Sequence, residues 1–181
     1  MPEIHIRPAT ADDIQTLTGL DHSYASDRVW QMTHEHDREA GQIMIQFRQV
    51  RLPRSLRLDY PYPPQALADS WEQRSGLLVA TLGDRPVGYA CLALNLAPGT
   101  AWVTDLVVDY DFRRQGIGSA LLLAAAEWAT EMDCQALIVE MQPKNHAMIQ
   151  LALKLGFDFC GYNDQYYPGQ EIGLFFRKRW A

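Results

Sequence analysis

The pattern of apolar and polar positions is clearest in the second half of the chain, from Leu77 onward. Residues 77–82 predict a strand, Gly83-Asp84 a turn, and residues 86–94 the returning strand. Residues 101–108 predict a third strand. After Gly116 and Gly118 a helix is expected to about Met132, with Ile117, Leu121, Ala125, Trp128 and Met132 as its apolar stripe. Residues 136–141 predict a buried strand. Residues 145–155 predict a second amphipathic helix, closed by Gly156 in a left-handed cap. Residues 157–162 and 172–177 predict a final strand pair, joined by a polar, tyrosine-rich loop over residues 163–170.

The first half is less regular. Residues 4–7 predict a short strand ended by Pro8. Thr10 is a cap for a helix beginning near Ala11, with Asp12 and Asp13 at its positive end and Leu17 and Leu20 continuing its apolar face. Residues 21–75 read as a variable, substrate-shaping region. They hold short apolar runs such as 43–47 and the turn-rich stretch Asp59-Tyr60-Pro61-Tyr62-Pro63-Pro64, whose prolines exclude a regular interior strand. The expected fold class is α/β, with one mixed sheet and no internal repeat.

Composition narrows the picture. A chain of 181 residues with 48% hydrophobic positions has material for a core and suits one domain over residues 1–181. Sixteen basic against 22 acidic side chains give a net charge of −6, which disfavours nucleic acid as a partner across a broad face. The longest apolar run, 120–126, ends at Glu127 and is far short of a membrane span. Acidic and basic residues near the N-terminus interrupt any signal-peptide core. The scattered Cys91, Cys134 and Cys160 match neither a metal knuckle nor a disulfide scaffold, so the expected location is cytoplasmic and no metal is expected. His22, His34 and His36 lack an accompanying cysteine pair. Arg48, Arg51, Arg54 and Arg57 recur every third residue and read as a solvated basic segment or as a site for an acidic partner.

The strongest chemical signal is the run from Asp105 to Ser119, in which an apolar strand ends, a polar loop follows and two glycines open a helix. Gly116 and Gly118 let a ligand approach the backbone, and the free N–H groups of the helix start favour an anion. Arg113 and Arg114 add positive charge. The third glycine of a dinucleotide fingerprint is absent, and no Gly-Lys-Ser/Thr follows as in a Walker loop. The alternative is that the glycines serve tight helix–sheet packing.

This run, Arg113-Arg114-Gln115-Gly116-Ile117-Gly118, followed by a long helix and then by an asparagine-led helix from Asn145 to Gly156-Phe157, resembles the GCN5-related N-acetyltransferase (GNAT) superfamily. The resemblance is firm over residues 77–180 and thinner over 4–71. Residues 125–129, 140–142 and 171–176 look most similar to the streptothricin-type acetyltransferases. The resemblance implies a mixed, mostly antiparallel central sheet flanked by helices. It implies acetyl-CoA as cosubstrate and a primary amine as acceptor. The backbone of Arg113, Arg114, Gln115, Gly116, Ile117, Gly118 and Ser119 would hold the pyrophosphate. Leu106, Val107 and Val108 would pair with the pantetheine arm, and Asn145 would contact it. The strands at 101–108 and 136–141 would splay to admit the thioester, with an oxyanion donor near Val107. A homodimer is compatible with the resemblance.

For the chemistry, Asp105 is the first candidate to orient or deprotonate the amine. It shares a strand face with Val107. Glu140, between Val139 and Met141, is the second, with a pKa that rises if its face is dry. The family often carries a tyrosine seven residues after the helix asparagine to protonate the leaving thiolate. Here that position is Ala152, so Tyr162, Tyr166 and Tyr167 become candidates to replace it. Lys144 is a phosphate candidate. The expected acceptor is a small cationic amine. A peptide N-terminus or lysine, and a catalytically weak acyl-CoA-binding module, are the alternatives.

Overall fold

The computed structural model describes residues 3–180. Strand β1 (Ile4–Pro8) leads into helix α1 (Ala11–Thr18). The entry to α1 is fixed by Asp13. Its carboxylate accepts the Thr10 backbone N–H at 2.8 Å and both arms of the Arg7 guanidinium at 2.7 and 2.8 Å. The Arg7 hydrogen bonds hold the Asp13 carboxyl down at about 2.

Within the variable region 21–75, where the sequence resolved only short apolar runs, residues 24–58 form a long antiparallel hairpin, β2 (Tyr24–Asp37) and β3 (Gln42–Leu58), as a sheet of its own. Its register runs from Tyr24–Leu58 to Asp37–Gln42, interrupted near Arg28. Pro53 is accommodated in the register break opposite Asp27, where residues 52–55 have no ladder partner, so its missing N–H costs no ladder bond. The base of the hairpin packs on the body through Trp30 against Phe176 and Phe47 against Phe159 and Tyr162. The stretch 59–64 is irregular, as its prolines require, and leads to helix α2 (Gln65–Ser70) and a single 3₁₀ turn.

The main sheet follows: β4 (Gly76–Leu82), β5 (Arg85–Ala97), β6 (Thr100–Val108), helix α3 (Ile117–Glu131), β7 (Ala136–Met141), helix α4 (His146–Lys154), β8 (Asp158–Tyr167) and β9 (Glu171–Arg179). Its strand order is β1-β4-β5-β6-β7-β9-β8, and β6 against β7 is the single parallel pair. It is a mixed, mostly antiparallel sheet between helices, as expected. The last hairpin differs from expectation. β8 runs on to Tyr167, so Tyr166 and Tyr167 lie on a strand and the connecting turn shrinks to residues 168–170. The polarity of 163–166 concealed this because β8 is an edge strand with exposed positions there.

Two cores flank the sheet. Leu121, Leu122 and Ala125 of α3 and Ile149 and Ala152 of α4 pack with Val103, Leu137, Val139, Leu174 and Phe176 on one face. Ile14, Leu17 and Leu67 of α1 and α2 pack with Val79, Tyr89, Cys91 and Val107 on the other. Each fully buried large side chain contributes about 1.5–3 kcal/mol of burial free energy. β6 supplies both cores. Cys91 pairs with Asp105 and Leu92 with Val103, so Thr104 is an extra residue, a β-bulge. Before it, Ala101 and Val103 face α3. After it, Val107 faces α1 and α2.

Candidate active site

The β6–β7 pairing extends from Thr100–Ala136 to Val103–Val139 and stops there. Beyond it the strands part. A groove of about 520 Å³ opens between the end of β6 and the start of α4, lined by Leu106, Val107, Val108, Arg113, Arg114, Gly116, Ile117, Gly118, Ser119 and Asn145. All but one of the residues expected to hold the cofactor therefore meet in one place. Gln115 is exposed on the loop and does not line the groove. The Asp109 N–H donates to Val87 O on β5 at 2.9 Å. Strand alternation turns the Val107 backbone to β5 as well, and leaves the backbone of Leu106 and Val108 directed to the groove.

The loop before α3 is an N–H cradle. Arg114 and Gly116 both have positive φ, +64° and +87°, and Gly116 is the N-cap of α3. Turning the chain this way aims successive N–H groups, together with the unpaired first turn of α3, at one spot. Gly118 serves packing as well: a Cβ there would stand 3.1 Å from Leu151 Cδ2 on α4. Arg113 is a brace. Its Nε donates to Val108 O at 2.8 Å, an Nη donates to Asp21 O at 3.2 Å, and it stacks over Tyr110. Burial lowers its pKa from the ordinary arginine value. Arg114 and Lys154 are the side-chain cations that line the groove beside it. Lys144 is engaged elsewhere, 2.9 Å from Glu171 Oε1. Asn145 caps α4 by accepting the Met148 N–H at 3.2 Å. Ala152 is fully buried in the core and forms no wall of the groove, so a side chain there would point into packing.

The Thr104 bulge presents Asp105 on the face of α1 and α2. It is 6% exposed and surrounded by partners. Tyr60 O–H donates to its Oδ1 at 3.1 Å, Thr104 O–H to its Oδ2 at 3.2 Å, and Arg74 pairs with Oδ2 at 3.5 Å. Tyr60, Tyr62, Arg74 and Asp105 help to line a small cavity, and Tyr60 also lines the groove. This side chain is a wall common to both spaces. Burial, then the Asp105 charge, raises the Tyr60 pKa far above that of a free phenol. His22 is buried beside it. Its Nδ1 lies 2.7 Å from Leu20 O and its Nε2 3.1 Å from the Tyr89 hydroxyl, and burial keeps the ring neutral. The Nδ1–H therefore donates to the carbonyl and Nε2 accepts from Tyr89.

Glu140 completes the acidic pair. Desolvation raises its pKa to about 7, partly opposed by the Tyr166 hydroxyl, which donates to Oε2 at 2.6 Å; the Asp105 charge raises it further. Tyr166 stacks edge-on against Tyr167, and Tyr167 against Tyr62. Four tyrosines, 60, 62, 166 and 167, thus border the two carboxylates. Tyr162 is not among them, since it packs against Phe47 under the hairpin. The sequence offered the Tyr60 to Pro64 segment as a wall for a small molecule or a support for a peptide N-terminus, without a role for the Tyr60 hydroxyl, and it carried no signal for Arg74. His34 and His36 lie on one exposed face of β2, remote from His22. Among the described residues no group of three or more His, Cys, Asp or Glu gathers into a metal-binding arrangement. Among them, too, no helix is long and apolar enough to cross a membrane.

The comparisons with known proteins agree with this geometry. The chain is 26% identical to streptothricin acetyltransferase from Streptomyces lavendulae over 171 residues, 90% of this chain and 86% of that one. It is 27% identical to the [ribosomal protein bS18]-alanine N-acetyltransferase of Escherichia coli K12 over 109 residues, 60% of this chain and 72% of the relative. Among solved structures, a nourseothricin acetyltransferase superposes with a TM-score of 0.82 at 23% identity, covering 98% of this chain and 99% of that one. A putative streptothricin acetyltransferase from Bacillus anthracis in complex with acetyl coenzyme A gives 0.77 at 21% identity, covering 99% of each chain. The pattern of the Acetyltransferase (GNAT) family, whose acetyl donor is acetyl-CoA, matches residues 42–157. The chain belongs to the GNAT family and is an acyltransferase.

Proposed function

We propose that this acetyltransferase moves the acetyl group of acetyl-CoA to a primary amine on a small cationic molecule, by direct attack with both substrates bound. The observation that carries this reading is Tyr60, one wall shared by the cofactor groove and by the cavity at Asp105. An amine held against Asp105 and Glu140 would stand toward the open end of the groove, and attack requires it to approach a thioester carbon to about 3–3.5 Å. Two carboxylates ringed by tyrosines favour a cation over an anion or an apolar group. Residues 21–75 shape this site by contributing Tyr60, Tyr62 and Arg74.

In the reaction the amine nitrogen bonds to the acetyl carbon, the carbon–sulfur bond breaks and CoA leaves as its thiolate. The nitrogen releases a proton to a carboxylate, Asp105 or Glu140. Groove-facing amides of Leu106 and Val108 donate to the developing oxyanion. Once Asp105 has taken up the amine's proton, the Tyr60 hydroxyl is released from that carboxylate and donates to the departing sulfur, in the role that Ala152 leaves unfilled. Free thiols at Cys91, Cys134 and Cys160 suit the cytoplasmic location expected from the sequence.

The bS18-alanine relative motivates a second reading, with a peptide N-terminus as acceptor. Acetyl-CoA consumption against polyamines, streptothricin-like antibiotics and short peptides, with products weighed intact, separates the two. One added acetyl group on a small cationic amine is the expected result. Acetylation of peptides alone, or firm acetyl-CoA binding with no product from any amine, overturns the proposal.

A further inference from the structure

Arg74 is the cation beside the two acids, and neither holding acetyl-CoA nor moving a proton uses it. It follows the 3₁₀ turn Trp71–Gln73, where its backbone N–H donates to Trp71 O at 3.3 Å. From there its side chain, 26% exposed, reaches the wall of the small cavity at Asp105. A guanidinium is a planar fork of N–H donors with no acceptor. Among the described residues this one makes a single side-chain hydrogen bond, to Thr104 Oγ1 at 3.2 Å. Its approach to Asp105 Oδ2 is 3.5 Å, long against the about 2.7–2.9 Å of a charge-assisted hydrogen bond. Its Nε is buried without a partner. Arg7 shows what a structural clamp looks like in this chain: it grips Asp13 with both arms, at 2.7 and 2.8 Å. Donors desolvated but left unpaired cost free energy, and the cost is relieved when a ligand oxygen arrives.

Charge points the same way. The cavity lining holds one carboxylate, Asp105, and one guanidinium, Arg74, which offset each other. The Arg74 charge also favours the ionised form of Glu140, so it acts on both acids. A bare polyamine entering this space meets a cation beside the acids. An amine with an oxygen on a nearby carbon meets an opposite partner at each end. We infer that Arg74 sets acceptor specificity by donating to a carbonyl or carboxylate oxygen carried close to the reacting nitrogen, so that the preferred acceptor is an amino acid or its amide and not a plain alkyl amine. This rests on the small-amine reading above and narrows it. A fork that holds the oxygen also fixes the rotation of the acceptor, turning its nitrogen toward Asp105 and Glu140.

The test compares lysine, lysinamide and cadaverine as acceptors. They share one carbon chain and carry a carboxylate, an amide carbonyl or neither. The wild type is expected to favour the first two over cadaverine by about 10- to 100-fold in kcat/KM. Fragment masses should place the acetyl group on the α-nitrogen, beside the oxygen, and not on the side-chain nitrogen. A lead for lysine marks a carboxylate as the group read, and a lead for lysinamide marks a carbonyl. Arg74→Lys keeps a positive charge near Asp105 but loses the fork. In the folded variant the preference over cadaverine is expected to collapse to near parity, whatever the absolute rates, whereas a merely structural role would lower all three acceptors together. Cadaverine acetylated as well as the other two, acetylation at the side-chain nitrogen, or a preference that survives Arg74→Lys overturns the proposal and leaves the small-amine reading standing. Acetylation of none of the three overturns it as well, and the small-amine reading falls with it only if the polyamines and antibiotics also stay unmodified.

Discussion

The hydroxyl of Tyr166 on β8 reaches across the intervening β9 to donate to Glu140 Oε2 on β7 at 2.6 Å. Gly173 of β9 makes this crossing feasible, since a Cβ there would sit 2.5 Å from Tyr166 Cδ1. The contact binds two strands that share no ladder and favours the charged form of Glu140 against the desolvation that opposes it.

A pH profile reads that contact. Glu140 ionises at about 7, and the Tyr166 hydrogen bond is what pulls the value down against desolvation. If Glu140 serves as a carboxylate, kcat/KM rises with pH through about 7. In Tyr166→Phe the opposing bond is gone, so this limb moves to higher pH while the plateau changes less. An acidic limb at the same pH in both proteins refutes the coupling.

Stability against pH reads the same group independently of turnover. The carboxyl binds its proton more tightly folded, at about 7, than at its ordinary 4.5. Its contribution is fully present below pH 4.5 and is lost as pH rises to about 7, by at most about 3 kcal/mol. Chemical denaturation of Glu140→Gln between pH 4.5 and 8 should show a flatter curve than the wild type over that window. Parallel curves rule out a raised Glu140.

Asp105 and Tyr60 separate catalysis from binding. Asp105→Asn is expected to lower kcat/KM for the amine by about 10²-fold, with acetyl-CoA affinity within about twofold. Tyr60→Phe should lower kcat with acetyl-CoA and recover most of it with an acetyl thioester of a more acidic thiol, which needs no proton on leaving. An equal loss with both donors removes Tyr60 from the leaving-group step.

Gly116 tests the cradle. At φ +87° a valine suffers backbone strain of about 1–2 kcal/mol and turns the N–H groups aside. Gly116→Val is expected to weaken acetyl-CoA binding by about tenfold or more in calorimetry, with β-sheet circular dichroism retained. Wild-type affinity in the folded variant defeats the assignment.

The sequence was most legible where one residue type answers one local need. The glycines at 116 and 118 between a strand and an apolar-striped helix announced the groove, and Asp105 and Glu140 stood out as acids inside apolar strands. Which side chain meets which acid was hidden, even for the candidate Tyr166, because Tyr60, Arg74 and Tyr166 arrive from 45, 31 and 26 residues away through contacts that leave no periodic trace. The β2–β3 hairpin was hidden for another reason. β2 is polar over most of its outer half and β3 contains Pro53, so the alternation of Ile43, Ile45 and Phe47 stood alone without a readable partner strand.

The extra residue at Thr104 has a consequence for how this site can change. Without the bulge the same sequence would alternate regularly, and Asp105 would lie on the side of Val103, under α3 among aliphatic side chains. With it, β6 is a two-sided splice: its first four residues are framework and its last four are working surface. Substitutions upstream of the splice register as lost folding, while those downstream are free to retune the chemistry. Deleting Thr104 would straighten the strand and leave Asp105 opposite Cys91 and Val107 on its present face, because the pairs on either side of the bulge already match an uninterrupted ladder.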